Sequence, residues 1–348
     1  MKLQEQEEAK ELRSRYDAVA ARQPRARIRA IATELGVSEL ELVAAGVGGL
    51  HAIPLRTPPQ DIFRELGGLG RVMALTRNEW CVHERHGRYE DIRAGKTMGI
   101  VLGPDIDLRM FFSDWAHAWA VDADGRKSLQ FFDRAGTAVH KVYLTSESDH
   151  AAFEALVARY IEPNPAWPAL EPLPPKDPDV LDAAPPELRE EWLAMQDTHE
   201  FFGLLKRHRV ERLTALRDVG PDLAQRVPTD MAERVLNDVA ERDIPFMCFV
   251  GNHGMVQIHS GPVKSLKRTG PWFNVLEPHF NLHLNTEAIA DAWVVNKPTV
   301  DGWVTSLECY SADGELIVQF FGVRKPGQKE LPQWRALLES YCPTPLAA

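Results

Sequence analysis

Ala123-Asp124-Gly125-Arg126-Lys127-Ser128-Leu129-Gln130-Phe131-Phe132 returns later in the chain as Ala312-Asp313-Gly314-Glu315-Leu316-Ile317-Val318-Gln319-Phe320-Phe321. Both stretches read Ala-Asp-Gly-x4-Gln-Phe-Phe. Asp-Gly between apolar runs is a hairpin signal, because glycine accepts the positive φ that such turns require. Each copy is followed by a helical pattern, Phe153-x-Ala155-Leu156-x3-Tyr160 and Trp334-x-Ala336-Leu337-x3-Tyr341. His86-Gly87 and His253-Gly254 echo each other more weakly upstream. Landmarks that recur in one order point to a duplicated domain.

Working outward, EWCVHERHGRYEDI, TMGIVLG, IDLRMFF and HAWAVDADGRKSLQFFD read as strands of a first meander. FMCFVGNHGMVQIHSG, FNLHL, IADAWVV and WVTSLECYSADGELIVQFFG read as its repetition. Before the first meander, RARIRAIATELGVSELELVAAG has apolar positions at helical spacing, with a helix-turn-helix step at Gly36-Val37-Ser38. Between the halves lies PNPAWPALEPLPPKDPDVLDAAPP, whose nine prolines disfavour helix and interrupt sheet ladders. The expected organisation is a first repeat over 1–162, a stiff proline-rich linker over 163–186 and a second repeat over 187–348. The expected fold class is α+β: two tandem repeats, each a large antiparallel sheet with helices packed on one face.

Composition narrows the function. At 44% hydrophobic and 26% charged over 348 residues, the chain is that of a globular protein with room for two cores. A formal charge of −10 disfavours a nucleic-acid partner but leaves room for a small anionic ligand at a local basic patch. The N-terminal MKLQEQEEAKELRSRY is charged and lacks the apolar stretch of a secretory signal. No apolar run approaches the roughly 18 residues of a membrane span. Cys81, Cys248, Cys309 and Cys342 are scattered, which fits free thiols in a reducing compartment. A cytoplasmic location without membrane insertion is therefore expected.

There is no G-x-G-x-x-G opening a helix, no phosphate-binding loop, no G-x-S-x-G and no H-E-x-x-H. His83 and His86 fall on opposite faces of a strand, and His279 and His283 share a face, but neither pair has a third ligand nearby in sequence. After Pro185-Pro186 the chain reads ELREEWLAMQDTHEFFGLLKRH, where Trp192, Met195, His199, Phe202 and Lys206 would share one helical face. His199 on such a stripe is either a core histidine with backbone partners or an axial ligand to a flat apolar cofactor. Heme fits the second reading: its iron takes a neutral imidazole, its faces want apolar walls, and its two propionates want Arg or Lys. Arg109 sits inside the apolar run DLRMFF and needs a partner, an ordinary salt bridge being the simplest. Lys297-Pro298 and Arg324-Lys325-Pro326 are basic strand ends whose simplest reading is solvated loop charge.

Together these stretches resemble the cytoplasmic hemin-degrading and hemin-transport proteins of Gram-negative bacteria, of the HemS, ChuS and PhuS type. The residues that carry the resemblance run almost end to end. They include Arg77-Asn78-Glu79, Asp107-Leu108-Arg109 with Trp115, Gln130-Phe131-Phe132-Asp133 and Lys141-Val142-Tyr143. In the second half they are Asp197-Thr198-His199-x-Phe201-Phe202-x-Leu204-Leu205-Lys206-Arg207-His208, Phe249-Val250-Gly251-Asn252, Ala292-Trp293-Val294, Lys297-Pro298-Thr299 and Val304-Thr305-Ser306-Leu307-Glu308. The resemblance implies one heme per chain, held mainly by the second half, with His199 as axial ligand to the iron and no matching ligand motif in the first half. It implies that Arg109 reaches over the distal face, that Arg212 and Phe249 contact heme, and that Lys297 and Arg324 lie near the propionates. Phe321 stands where some members carry a tyrosine, which removes a hydroxyl contact. Strict strand alternation would place Arg324 with Phe320 rather than Phe321, unless Gly322 interrupts it.

Two activities follow from the resemblance. In one, heme is both substrate and cofactor, with Arg109 and His199 as the catalytic pair, and its ring is opened oxidatively to free iron. In the other, the protein is a chaperone that takes heme from an inner-membrane heme ABC transporter and hands it to a separate heme oxygenase. An electron-donating reductase would be a further partner of the enzyme.

Overall fold

The computed structural model describes residues 3–175, 178–325 and 327–348, with the side chain of Leu3 left aside. Met1, Lys2, the linker residues Lys176 and Asp177, and Pro326 lie outside the described residues. The first half runs α1 (Leu3–Arg22), α2 (Ile28–Leu35), α3 (Glu39–Ala45), β1 (His51–Leu55), α4 (Pro59–Phe63), β2 (Gly70–Arg77), β3 (Cys81–Gly87), β4 (Ile92–Ala94), β5 (Met98–Leu102), β6 (Asp107–Phe111), β7 (Trp115–Ala123), β8 (Arg126–Asp133), β9 (Ala138–Ser148) and α5 (His150–Tyr160). The second runs α6 (Pro186–Leu193), α7 (Glu200–His208), α8 (Arg212–Asp218), β10 (Ala224–Val227), α9 (Met231–Glu241), β11 (Phe246–Asn252), β12 (Met255–Gly261), β13 (Leu266–Thr269), β14 (Trp272–Leu276), β15 (Phe280–Asn285), β16 (Asp291–Thr299), β17 (Gly302–Tyr310), β18 (Leu316–Gly322) and α10 (Pro332–Glu339).

The fold is α+β, built on two nine-stranded sheets. Their orders are β1-β7-β8-β9-β2-β3-β15-β14-β13 and β10-β16-β17-β18-β11-β12-β6-β5-β4, the same order with the two halves exchanged. Strands β7, β8, β9 and β2, and likewise β16, β17, β18 and β11, pair antiparallel in matching register. Trp119 pairs with Gln130, Gln130 with Lys141, and Lys141 with Leu75. Trp293 pairs with Glu308, Glu308 with Gln319, and Gln319 with Phe249. Ala118-Trp119 and Ala292-Trp293 are thus true equivalents.

The Ala-Asp-Gly landmark is not in register with this repeat. Asp124 and Gly125 both have positive φ and close the tight β7–β8 hairpin, in which Ala123 pairs directly with Arg126. Asp313 and Gly314 lie in a longer loop of the β17–β18 hairpin, one strand further on, where only Gly314 has positive φ. Similar turn chemistry has arisen in two different hairpins. The histidine-glycine echo is also offset, since His86-Gly87 ends β3 while His253-Gly254 turns from β11 into β12. The turn equivalents are Asn78 and Asn252, whose side-chain oxygens accept backbone N–H groups two and three residues on (Trp80 and Cys81) or two on (Gly254).

The helices cover both faces of each sheet rather than the one expected, because strands such as Ala292-Trp293-Val294-Val295 are apolar on both sides. In the first half, α4 and α5 pack Phe63, Phe153 and Leu156 on Ala74, Ala120 and Phe131. On the opposite side α3 sets Leu40 and Val43 on Trp119, Val121 and Phe132. The α2–α3 step forms as its sequence dictates: Gly36 adopts the left-handed cap and Ser38 with Glu41 makes a capping box. In the second half, α9 presents Met231, Val235, Leu236 and Val239 at helical spacing to Phe246, Val294, Leu307 and Phe320, joined by Trp334 and Leu337 of α10. The other face carries α6, α7 and α8.

The chain folds into two compact units that are not consecutive stretches. One comprises Met1–Arg77, Glu84–Pro174 and Gly251–Gln257, the other Asn78–His83, Pro175–Val250 and Ile258–Ala348. The two short segments are bound into their units by backbone and core. Gly254 O accepts from Phe111 N and Trp115 Nε1, and Met255 is buried in the first unit's core. Asn78 Nδ2 donates to Ile317 O at 2.8 Å, and Cys81 is buried in the second unit's core. Up to Pro185, the described residues of the proline-rich stretch form no helix and no sheet strand. Trp167 and Leu170 pack on the first unit, and Leu181 bridges to Val210 in the second.

Candidate functional site

His199 does not lie on a continuous helical stripe. Helix α6 ends at Leu193, and α7 starts at Glu200 with His199 as its N-cap. The polar run Gln196-Asp197-Thr198 causes the break, because its neighbours satisfy backbone donors locally. Glu200 Oε1 accepts from Gln196 N and Asp197 N, both at 2.9 Å, and Asp197 Oδ1 accepts from His199 N at 2.8 Å. The break also changes the phase of the apolar positions. Trp192, Met195 and Phe201 are buried, with the Trp192 and Phe201 rings edge to face at 4.5 Å. Phe202 is instead 76% exposed. His199 is no core histidine, since its side chain is 82% exposed. Its Nδ1 lies 2.5 Å from Asp197 Oδ1.

Below α7 lies the sheet face formed by Lys297 of β16, Ser306, Glu308 and Tyr310 of β17, Gln319 and Phe321 of β18, and Phe249 of β11. Strand pairing puts these side chains on one side, opposite Leu307, Phe320 and Cys248 of the α9–α10 core. Glu308 is fully buried at its centre. Arg212 grips it with two hydrogen bonds of 2.7 and 2.6 Å, and Lys297, Gln319, Ser306 and Tyr310 donate the rest. Burial alone would raise the Glu308 carboxyl, but Arg212 and Lys297 outweigh it and hold the group well below the usual range. Burial pushes the Lys297 ammonium down to about 8 against the pull of Glu308. Arg212 and Lys297 also stand 4.8 and 4.5 Å from the centre of the Phe201 ring, so the cluster holds α7 from below. Phe249 and Phe321 are half-buried, 4.8 Å apart between ring centres.

Arg324 follows Gly322, where β18 ends, so strand alternation stops before it. A side chain at Gly322 would run into the Trp334 ring. Arg324 lies toward the His199 segment: the His199 backbone N–H, outweighing burial, holds the Asp197 carboxyl below its usual range, and the imidazole and Arg324 add to the lowering. Arg324 Nη1 is buried with no hydrogen-bond partner, and its nearest carboxylate oxygen, on Asp301, is 4.0 Å away. His208 is committed elsewhere, with Nε2 3.1 Å from Glu191. Arg109 belongs to the first unit, where its guanidinium pairs with Asp107 and donates to Leu108 O at 3.0 Å. Its strand exposes Phe111, and the partner strand exposes Met98 and Leu102. Among the described residues, no group of three His, Cys, Asp or Glu could hold a bare metal ion. No helix among them is long and apolar enough to cross a membrane.

The groups offered here are an open imidazole, one unsatisfied guanidinium nitrogen and two aromatic walls, which suit a flat apolar ligand with carboxylates. The family model for the haemin-degrading HemS.ChuX domain matches this chain twice, over residues 36–160 and 209–341. The chain belongs to the HemS family. It is 40% identical over 332 residues to the hemin transport protein HmuS of Yersinia pestis, covering 93% of this chain and 95% of that one. The structure of holo-PhuS, a heme-binding protein from Pseudomonas aeruginosa, matches at a TM-score of 0.91 and 44% identity, covering 96% of this chain and 99% of that one. ChuS, described as an E. coli heme oxygenase, matches at 0.86 and 36%, covering 95% and 99%.

Against this HemS-family frame, the second unit brings His199, Arg324, Phe249, Phe321, Arg212 and Lys297 to one side of one sheet. Arg324 Nη1 has no hydrogen-bond partner, whereas Arg212 and Lys297 are bound to Glu308. Asp197, Phe201 and Glu308 stood in the quoted motifs without assigned roles. Period-two spacing of Ser306, Glu308 and Tyr310 was the signal that a buried polar row runs along β17.

Proposed function

We propose that this protein binds heme on the open face of its second unit through His199, and opens the macrocycle oxidatively to release iron in the bacterial cytoplasm. The observation that carries the reading is the pairing of an exposed imidazole, whose Nδ1 is taken by Asp197, with an Arg324 guanidinium whose buried Nη1 has no hydrogen-bond partner. A bound heme would supply the redox iron, so it is substrate and cofactor at once. His199 offers Nε2 to the iron. Phe249 and Phe321 give apolar wall, and Arg324 takes a propionate by a charge-assisted hydrogen bond. Arg212, Lys297 and Glu308 together leave one net positive charge beneath the site, which favours the anionic edge of the ring. Arg109 is assigned the distal hydrogen bonds on the family resemblance, stabilising charge that develops there.

The second reading is a heme carrier, and the exposure of His199 favours it, since an exposed ligand is easily exchanged. Heme-loaded protein given a reductant, with catalase present, separates the two. Loss of the Soret band with tetrapyrrole product and free iron is expected, and Arg109→Ala should suppress it while keeping the histidine-ligated spectrum. A stable ferrous spectrum that decays only by peroxide damage would replace degradation with carriage.

A further inference from the structure

We infer that Asp197 is the positioning residue of the iron ligand: it fixes the tautomer and orientation of His199 and sets the basicity of its Nε2. The inference rests on the proposed function, because it deepens the role given to His199. One carboxylate oxygen, Oδ1, accepts from both the backbone N–H of His199 at 2.8 Å and its ring Nδ1 at 2.5 Å. The first bond fixes the main chain that carries the ligand, and the second fixes the ring. Asp197 is itself held, since its backbone N–H donates to Glu200 Oε1 at 2.9 Å.

Two consequences follow. A carboxylate can only accept, so the imidazole proton stays on Nδ1 and the Nε2 lone pair faces outward. An imidazole that donates to a carboxylate is also a stronger donor to a metal, which favours ferric over ferrous iron. The packing around His199 cannot supply these effects, because the side chain is 82% exposed. Without Asp197 the ring would sample several rotamers and both neutral tautomers.

The test uses the full chain loaded with heme, comparing wild type with Asp197→Asn and Asp197→Ala. Asp197 is on the surface, and circular dichroism checks that both variants fold. Asp197→Asn can still accept the two hydrogen bonds but carries no charge. It should lower the ferrous iron–histidine stretching frequency and raise the midpoint potential. Asp197→Ala should do both more strongly and bind ferric heme about tenfold more weakly. Unchanged stretching frequency, potential and affinity in both variants would overturn the role of Asp197. A His199→Ala spectrum identical to wild type would overturn the ligand assignment itself, and this inference with it.

Discussion

At the scale of single residues, burial separates the histidines by role. His199 stands in solvent with one nitrogen engaged, whereas His140 is 1% exposed, with Thr76 Oγ1 2.8 Å from Nδ1 and Tyr89 Oη 2.6 Å from Nε2. Burial pushes the His140 pKa down to about 3, against about 6.5 in the unfolded chain. Between these values the unfolded state binds the extra proton, so stability falls as pH drops through 6.5 and keeps falling to about 3. The slope is about 1.4 kcal/mol per pH unit from this group. Urea denaturation across pH 6.5 to 4 should therefore show a shallower acid loss for His140→Gln than for wild type. Equal slopes would mean that other groups dominate the acid sensitivity. Sequence gave no warning of this histidine, since nothing local marks Tyr89 and Thr76 as its partners.

At the scale of elements, α7 rests on a buried charge cluster as well as on its own buried stripe of Phe201, Leu204 and Leu205. Glu308 pairs with both Arg212 and Lys297, and both cations face the Phe201 ring two residues beyond His199. Removing the carboxylate leaves two buried cations together. Glu308→Ala should cost about 3–5 kcal/mol of stability, measured by denaturant unfolding. Lys297→Met should be much milder, because Arg212 alone still pairs with Glu308. Equal losses would show that the cluster does not act as described. The β7–β8 hairpin and the α2–α3 step were legible because each rests on local chemistry: Asp124-Gly125, and Gly36 with Ser38. The α6–α7 break was not, because helical periodicity through Trp192, Met195, His199 and Phe202 hid the competition that Asp197 and Glu200 offer to the backbone. Strands β13 and β14 lack a clear apolar alternation.

At the scale of the molecule, two similar sheets carry one candidate site. Three residues past the left-handed turns at Gly36 and Arg209 stand Glu39 and Arg212, each paired to a charge on its own sheet, Lys141 and Glu308. The charges are reversed, and the outcome differs. In the first unit α3 closes the face, burying Phe132 and Trp119, and the positions matching His199 are Ala26 or Arg27, which cannot bind iron. In the second unit Phe249 and Phe321 remain half-buried and His199 is exposed. Duplication was legible from the sequence, but its register was not, because Ala-Asp-Gly recurs in non-equivalent hairpins. The most direct measurement of the central claim is a heme titration followed at the Soret band, run on wild type, His199→Ala and the double variant His199→Ala with His208→Ala. Wild type should saturate at one heme per chain with a histidine-ligated spectrum, and His199→Ala alone should lose it. Saturation near two, or a native spectrum surviving in both variants, would contradict the account.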